Sequence, residues 1–276
     1  MKIVSFTGGL GNQLFEYLFC RNLQKRFGKA KVYGYYQPSR LSLFNGLELN
    51  RWFEVELPRA TRLSNIIARG YKLLEKMHLS RTVDEARYEN GLEGNFFEGY
   101  WQGFRFHEGM DVKKELRFRP LQLNERNMEL LDEIQRLPQT VSIHVRRGDY
   151  QNEHHKSWLG NVCTSQYYQD AIRKMEELFG NQQLVWYVFS DDVAWCRNLF
   201  GNDAHFHYVD WNTGSDSFYD LYLMSACTHH IIANSTFSYW AARLSAEEGS
   251  VVYPSTWWRG FPAPDMFPDS WIGIAT

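Results

Sequence analysis

The segment Val141–Tyr150 has the sequence VSIHVRRGDY, in which an apolar run leads directly into two arginines, a glycine and an aspartate. The run predicts a buried strand over Val141–Val145. Farther along the chain, strand-like segments alternate with segments of helical spacing, and Gly180 and Gly201 stand where helices would end. This alternation predicts a parallel sheet in a Rossmann-like half.

The elements predicted for this half follow in regular order. Strands are expected at Val141–Val145, Leu184–Phe189, His205–Val209, His229–Ala233 and Val251–Tyr253, and helices at Thr164–Phe179, Asp192–Phe200, Ser217–Ala226 and Thr236–Ala246.

The start of the chain predicts a second α/β half. Lys2–Phe6 is a short strand-like run that stops at a glycine-rich turn, and a helical pattern then continues to Gly28 before the strand-like Lys31–Tyr36. We therefore expect an N-terminal half over residues 1–130 and a C-terminal half over residues 131–276.

Residues 37–130 give little regular pattern, with one exception. Ser64–Met77 predicts a basic amphipathic helix that carries Ile66, Ile67, Leu73, Leu74 and Met77 on one side. We favour packing of this helix on its own domain over contact with a membrane surface, and a peripheral membrane association is left open.

Composition excludes some classes of protein. The net charge of the 276 residues is −2, which gives no basic surface for nucleic acid. Cys20, Cys163, Cys196 and Cys227 lie far apart, so we expect free thiols and neither a disulfide framework nor a metal site. Because neither a signal peptide nor an apolar span of ~18–20 residues is present, we expect a cytoplasmic protein. The sequence predicts no particular oligomeric state.

Polar side chains follow three of the predicted strands at the point where each strand ends. They are Arg146 and Arg147 after the first strand, Asp191 and Asp192 after the second, and Asn234, Ser235 and Thr236 after the fourth. Ligands of parallel α/β sheets bind at the carboxyl ends of the strands, so these groups predict a site.

The residue types suit a nucleoside diphosphate. Arginine forks onto phosphate oxygens, and hydroxyls at the start of a helix meet an anion at the positive end of that helix. A carboxylate accepts hydrogen bonds from ribose or from guanine. Each feature has an alternative interpretation, because Asp191 or Asp192, and Ser235 or Thr236, also suit helix N-caps.

Two further features are weaker. His144 lies two residues before Arg146, which places both side chains on one face of the strand, yet a histidine in a strand also suits a satisfied core position. The N-terminal turn Gly8–Asn12 lets backbone amides approach an anion, although it is neither a dinucleotide fingerprint nor a Walker loop.

Several of these motifs resemble glycosyltransferase family 11, the α-1,2-fucosyltransferases. The matching segments are GGLGNQ at Gly8–Gln13, GYWQ at Gly99–Gln102, HVRRGDY at His144–Tyr150, FSDD at Phe189–Asp192, NSTFSYWAA at Asn234–Ala242, and Pro254-Ser255 followed by Trp257. They run in order along nearly the whole chain.

The resemblance implies a GT-B-like α/β fold of two Rossmann-like halves and an inverting transfer of fucose from GDP-fucose, without a metal or other cofactor. It implies that the acceptor is a terminal β-galactoside, which receives fucose on its 2-hydroxyl. The implied donor-binding residues are Gly9, Gly11, Asn12, Gln13, His144, Arg146, Asp191, Asp192, Asn234, Ser235 and Thr236, and the implied acceptor-binding residues are Tyr100, Trp101 and Gln102.

Catalysis is expected to depend on Arg146, which would neutralise the departing diphosphate. The general base is left among Glu16, Asp149, Glu153 and His154, with Asp149 named provisionally. The segment Gln151–Trp158 matches no family pattern and is expected to set acceptor choice or to contribute the base. Two other functions remain open: a transferase of another GDP-sugar, and a non-catalytic carbohydrate-binding protein, which the aromatic content of 16% would suit.

Overall fold

The computed structural model describes residues 1–79, 82–89 and 94–276, and it divides the chain into two compact units, Met1–Leu121 and Gln122–Thr276. The expected division at residue 130 falls inside the helix Glu125–Arg136. That helix belongs to the second unit, where the Asn127 side chain exchanges hydrogen bonds with Asn212 and accepts one from the Trp211 indole. The division therefore lies before this helix.

The first unit contains these elements: β1 (Lys2–Phe6), α1 (Leu10–Phe27), β2 (Val32–Tyr36), α2 (Pro38–Leu41), α3 (Leu49–Trp52), α4 (Arg62–Lys76), α5 (Glu85–Glu89), β3 (Phe96–Phe97) and α6 (Val112–Glu115). Among the described residues of this unit, β1 lies between β2 and β3 in a parallel three-stranded sheet. The strand, glycine-rich turn, helix and strand expected at the start of the chain are confirmed.

Helix α4 packs on this sheet through a face of which the sequence singled out only Ile67. Ala68 is fully buried with Ile3 and Phe96, and Ile67 and Tyr71 pack against the same cluster. Ile66, Leu73, Leu74 and Met77, which were expected to form the packing side together with Ile67, are instead exposed. The prediction of an amphipathic helix packed on its domain is confirmed, but the choice of packing face was wrong.

The second unit contains these elements: α7 (Glu125–Arg136), β4 (Thr140–Val145), α8 (Glu153–His155), α9 (Ser165–Phe179), β5 (Val185–Ser190), α10 (Val193–Phe200), β6 (Phe206–Val209), α11 (Phe218–Ala226), β7 (His229–Ile231), α12 (Thr236–Arg243), β8 (Val251–Pro254), β9 (Thr256–Trp258), β10 (Phe261–Pro262) and β11 (Ile272–Ile274). Residues Asp149–Gln151 form a 3₁₀ turn, and Lys156–Gly160 form a π-helical turn.

The sheet of the second unit, all of whose residues are described, has six parallel strands in the order β11-β8-β7-β4-β5-β6. Apolar residues of β4 and β5, such as Ile143 and Val188, are fully buried against helices α9 and α10. The expected strands and helices are present within a few residues of their predicted bounds. Strand β11 extends the sheet beyond β8, which was expected to be the last strand.

None of the helices within the described ranges is long and apolar enough to cross a membrane.

Candidate functional site

Strands β4 and β5 bring the two central polar segments side by side. The strands pair in register, with Val145 opposite Ser190, so Arg146 and Asp191 occupy the next positions on neighbouring strands. Strand β7 flanks β4 on its other side and leads to Asn234. The three segments expected to form the site therefore lie at one edge of the sheet, as the sequence predicted for a parallel arrangement.

Arg146 is held by two carboxylates at this edge. Its Nε donates to Asp149 Oδ1 over 2.9 Å, and the same Nε lies 3.4 Å from Asp191 Oδ2. Although burial alone would lower the pKa of Arg146, Asp149 and Asp191 raise it, so the guanidinium is charged at every working pH. With 36% of its side chain exposed, Arg146 is fixed in place and still open to a ligand.

Asp191 also fixes the turn that follows β4. Its Oδ1 accepts a hydrogen bond from the Arg147 backbone amide over 2.8 Å. A Cβ on Gly148 would lie 2.8 Å from Asp191 Oδ2, closer than real Cβ contacts allow. A side chain at position 148 would therefore force the carboxylate of Asp191 to shift.

Arg147 has a different role from Arg146. Its Nε donates to Asp192 Oδ2 over 2.9 Å, and its guanidinium lies 4.4 Å from the centre of the Trp195 ring. Asp192 Oδ1 in turn accepts from the Trp195 amide and caps helix α10. Arg147 and Asp192 therefore join the β4 turn to the start of α10, and the capping alternative holds for Asp192.

His144 is buried at the carboxyl edge of the sheet, and its imidazole is neutral. It is only 6% exposed, and its ring centre lies 5.8 Å from that of Phe237 in α12. Burial lowers the pKa of His144 to about 4, and the positive charge of Arg146 acts in the same direction. Within the part of the chain that is described, Nδ1 of His144 is buried and lacks a hydrogen-bond partner. A buried nitrogen without a partner is a candidate contact for a ligand.

The turn between β7 and α12 is built by Asn234. Its Nδ2 donates to the carbonyls of Leu159 and Trp257 over 3.3 and 3.1 Å. Its own carbonyl accepts from the Tyr150 hydroxyl, and its Oδ1 accepts from the thiol of Cys163. The amide group of Asn234, expected to contact the donor, instead holds three loops of the second unit together.

Ser235 caps α12, with its Oγ accepting from the Phe237 amide over 3.3 Å. Ser235 is 8% exposed, whereas Thr236 at the first helical position is half-buried. The hydroxyl of Thr236 lies at the positive end of the helix dipole, whereas the Phe237 amide is already bonded to Ser235. The capping alternative holds for Ser235, and Thr236 remains a predicted phosphate contact.

The segment after Asp149 is folded back on itself. The backbone carbonyl of Asp149 lies 3.2 Å from His155 Nδ1, and Gln151 Nε2 donates to the Gly160 carbonyl over 3.1 Å. The Trp158 side chain is 40% exposed, and its carbonyl accepts from the Arg259 amide. These bonds give the segment a defined shape next to Arg146.

In the first unit, the glycine-rich turn is shaped by the residues that follow it. Gly8 has a φ of +77°, a left-handed conformation that favours glycine. Gln13 is fully buried; its Nε2 donates to the carbonyls of Gly8 and Gly46, and its Oε1 accepts from the Glu48 amide. The amide of Gln13, expected to contact the donor, is therefore used to hold this turn against the next loop.

A carboxyl group lies directly beneath the turn. Glu16 is fully buried, and both of its oxygens accept from the Thr7 amide. Burial raises the pKa of Glu16 well above its usual value, and the negative charges of Glu98 and Glu85 act in the same direction. A fully buried carboxyl cannot reach a substrate from this position, so the arrangement favours support of the turn over the role of general base.

The expected acceptor-binding residues separate into one exposed and two buried side chains. Tyr100 is 41% exposed. Trp101 is fully buried, with its ring stacked on Phe19 at a centroid distance of 3.7 Å and its backbone at a φ of +55°. Gln102 Nε2 donates to Asn12 Oδ1 over 3.2 Å. The indole of Trp101 packs in the core of the first unit, and its contact with an acceptor stays a prediction.

Glu85 was not singled out in the sequence, yet it maintains this turn. Its Oε1 accepts from the amides of Tyr100 and Trp101 over 2.8 and 2.7 Å. A single glutamate in a stretch without regular pattern gives no sequence signal for such a bond. The contact appears only once α5 and the turn after β3 are folded together.

A sequence profile of the family described as "Glycosyl transferase family 11" matches residues 48–275. The chain belongs to glycosyl transferase family 11. The resemblance carried by its motifs is thereby confirmed, and the chain is a glycosyltransferase.

Individual relatives cover nearly all of the chain. An α-1,2-colitosyltransferase of Escherichia coli is 31% identical over 99% of this chain and 98% of its own length. The O-antigen biosynthesis glycosyltransferase WbnK of Escherichia coli is 29% identical over 97% and 98%. The mouse galactoside 2-α-L-fucosyltransferase Sec1 is 26% identical over 100% of this chain and 74% of its own length.

Among solved structures, the NodZ α-1,6-fucosyltransferase soaked with GDP-fucose matches with a TM-score of 0.51 at 13% identity, over 88% of this chain and 91% of its own. At this identity the likeness concerns the fold alone. It confirms the GT-B-like α/β fold that the motifs implied.

Proposed function

We propose that this glycosyltransferase moves fucose from GDP-fucose to the 2-hydroxyl of a terminal β-galactoside, with inversion at the anomeric carbon. The observation that carries the proposal is the fixed, partly open guanidinium of Arg146 between Asp149 and Asp191 at the carboxyl edge of the sheet. Relatives named as α-1,2-colitosyl and galactoside 2-α-fucosyl transferases support the linkage, and the latter support the donor sugar.

The diphosphate of the donor is assigned to Arg146 together with the start of α12. When the bond between the anomeric carbon and the diphosphate breaks, negative charge grows on the departing GDP. A guanidinium already held by two carboxylates needs little rearrangement to meet that charge. The Thr236 hydroxyl adds a hydrogen-bond donor to the phosphates at the positive end of a helix.

The guanosine is assigned to His144 and Asp191. His144 offers a neutral imidazole whose buried Nδ1 has no partner among the described residues. Asp191 can accept from the N–H donors of guanine or from a ribose hydroxyl, but it must share its oxygens with Arg146 and the Arg147 amide. Asp192 is proposed to act on the donor only through Arg147, which it holds.

Inversion requires the galactose 2-hydroxyl to attack opposite the diphosphate. The new bond joins that oxygen to the anomeric carbon, GDP leaves with the bonding electrons, and the hydroxyl proton passes to a base. We retain Asp149 as the base, although its carboxylate is paired with Arg146 over 2.8 Å. If Asp149→Asn remained fully active with a flat pH–rate profile, Asp149 would be a positioning residue for Arg146 instead.

The galactoside is assigned in part to Tyr100, whose exposed aromatic ring suits stacking against the apolar face of a sugar. Gln102, two residues farther along the chain, is joined to Asn12 by a hydrogen bond. Metal independence is part of the proposal, and the expectation is that protein cations alone neutralise the leaving group.

A second donor has a specific observation in its favour. The Escherichia coli relative named as a colitosyltransferase is similar to this chain along its whole length. Colitose is fucose without its 3-hydroxyl, so both sugars present the same anomeric centre and the same GDP leaving group. Only a contact to the 3-hydroxyl separates the two donors, and a missing hydrogen-bond partner in a buried site discriminates strongly.

The test is incubation of the purified chain with GDP-fucose and lactose in EDTA, with GDP-colitose in a parallel reaction, followed by linkage analysis. We expect an α-1,2-linked fucosyl-lactose and a higher kcat/KM for GDP-fucose. A higher kcat/KM for GDP-colitose would transfer the proposal to that donor. Turnover that appears only after Mg²⁺ is restored would overturn metal independence, and a product linked elsewhere would overturn the regiochemistry.

A further inference from the structure

Helix α4 presents a continuous apolar stripe on the surface of the first unit. The stripe consists of Leu63, Ile66, Leu73 and Leu74 on the helix, Met77 at its C-cap and Leu79 just after it, which are exposed by 58%, 65%, 60%, 41%, 58% and 62%. At about 100° per residue, the four helical members span roughly 100° of the helix circumference. Six large apolar side chains in one exposed row are unusual on a soluble surface.

The stripe is not the packing face of the helix. Packing on the sheet uses Ile67, Ala68 and Tyr71, whose ring is stacked on Phe96 at a centroid distance of 5.5 Å. Folding of the first unit is therefore complete without the stripe. Helix α7 of the second unit, by comparison, exposes only Met128 among its large apolar residues.

A row of positive charge borders the stripe. Arg62, Arg69 and Lys76 recur at intervals of seven residues, so they lie along one line beside the stripe, and all three are exposed. Within the described ranges, no carboxylate lies in ion-pair distance of any of them, whereas Lys72 on the adjoining line of the helix is paired with Glu98. In a chain with a net charge of −2, this is a local concentration of unpaired cations.

We propose that α4 is an interfacial helix that docks the first unit onto an anionic lipid surface, with the stripe among the acyl chains and the cationic row among the headgroups. An apolar arc flanked by basic residues is the arrangement by which amphipathic helices lie in a membrane interface. The absence of a membrane-crossing helix in the described part of the chain agrees with attachment from one side.

A second copy of the chain is the less suitable occupant of this face. A stable protein interface uses about 20–30 residues a side, whereas the stripe offers six apolar side chains on one helix. Pairing two such helices would also bring two unpaired basic rows together. A lipid surface of negative charge satisfies both the apolar and the cationic parts of the face.

The test is flotation of the full chain with vesicles of phosphatidylglycerol and phosphatidylethanolamine, compared with vesicles of phosphatidylcholine. We expect binding to the anionic vesicles and little binding to the neutral ones. The charge variant Arg62→Gln/Arg69→Gln/Lys76→Gln should bind the anionic vesicles roughly 100-fold more weakly. The stripe variant Ile66→Asn/Leu73→Asn/Met77→Asn should lose binding to a similar extent.

The matched control is Met128→Asn/Leu178→Asn, which removes two comparably exposed apolar side chains, 50% and 44%, from helices of the second unit. It should bind as the wild type does, and thermal unfolding should show that all variants are folded. The proposal fails if the wild type ignores anionic vesicles or if both α4 variants bind them normally. It also fails if light scattering shows a wild-type dimer that the stripe variant converts to a monomer.

Discussion

At the scale of single residues, the two adjacent arginines that follow β4 have different partners. Arg146 meets Asp149 and Asp191 at the open edge, whereas Arg147 contacts Asp192 and stacks on Trp195. The sequence RRGD alone does not say which cation faces a ligand. The contacts of the folded turn do, because they pair Arg146 with Asp149 and Asp191 and pair Arg147 with Asp192.

This difference predicts unequal effects of two matched substitutions. Arg146→Ala should lower kcat by roughly 10²–10³, the loss typical of one preorganised donor to a developing charge. Arg147→Ala should lower kcat much less and should mainly reduce the unfolding free energy, since it removes a brace to α10. Steady-state kinetics and chemical denaturation of both variants measure the contrast. Equal kinetic defects would show that the two arginines are not divided in this way.

Residue-scale errors of the sequence analysis have a common cause. Gln13 and Asn234 belong to motifs, and both were assigned to the donor, yet Gln13 ties Gly8 to Gly46 and Asn234 ties Leu159 to Trp257. Burial of this kind depends on partners that are distant in the sequence. A short motif shows that a residue type is needed, but it does not distinguish contact with a ligand from support of the loop that makes the contact.

At the scale of elements, the strands and helices of the second unit were predictable because the hydrophobic pattern and the capping residues at the helix ends agree. Thr164 and Gly180 bound helix α9, and Asp192 and Gly201 bound helix α10, at the positions expected from capping. Strands β3 and β11 were not predicted, since runs of two and three residues carry no periodicity. They exist because neighbouring parallel strands supply their hydrogen bonds.

The geometry of the turn after β4 predicts the effect of adding one methyl group at Gly148. In Gly148→Ala the new Cβ would meet Asp191 Oδ2 at 2.8 Å, so the carboxylate must move away from Arg146 and the Arg147 amide. We expect kcat/KM for the donor to fall by about tenfold or more, equivalent to at least ~1.4 kcal/mol of lost transition-state binding.

The control is Gly70→Ala in α4, where an added methyl meets nothing within 4 Å. It should leave transfer to a soluble acceptor unchanged and should stabilise the helix by about 0.5–1 kcal/mol. If Gly148→Ala were as active as this control, the close approach of Asp191 to the turn would not matter for donor binding.

At the scale of the whole molecule, buried titratable groups make the free energy of unfolding depend on pH. Burial lowers the pKa of His144 to about 4 and that of His230 to about 3, while it raises the pKa of Asp220 to about 7. The unfolded chain protonates His144 near pH 6.5, so the contribution of His144 to the free energy of unfolding is fully present above that pH. It is lost as pH falls from about 6.5 towards 4, because only the unfolded state takes up the proton.

This linkage predicts a pH-dependent difference between wild type and His144→Gln. The unfolding free energy of the wild type should drop between pH 7.5 and pH 5 by about 2 kcal/mol more than that of the variant. Taking the difference removes the contributions of His230, which acts in the same direction, and of Asp220, which acts in the opposite direction. Urea denaturation at both pH values measures it, and parallel pH profiles would show that His144 accepts a proton in the folded state.

The central claim is that the edge built around Arg146 binds the diphosphate of a GDP-sugar. Calorimetric titration of wild type and Arg146→Ala with GDP and with guanosine tests it most directly, because the two ligands differ only in the diphosphate. The account predicts that the wild type prefers GDP strongly and that Arg146→Ala loses most of this preference while its weak affinity for guanosine is unchanged. An Arg146→Ala protein that still preferred GDP by the wild-type ratio would contradict it.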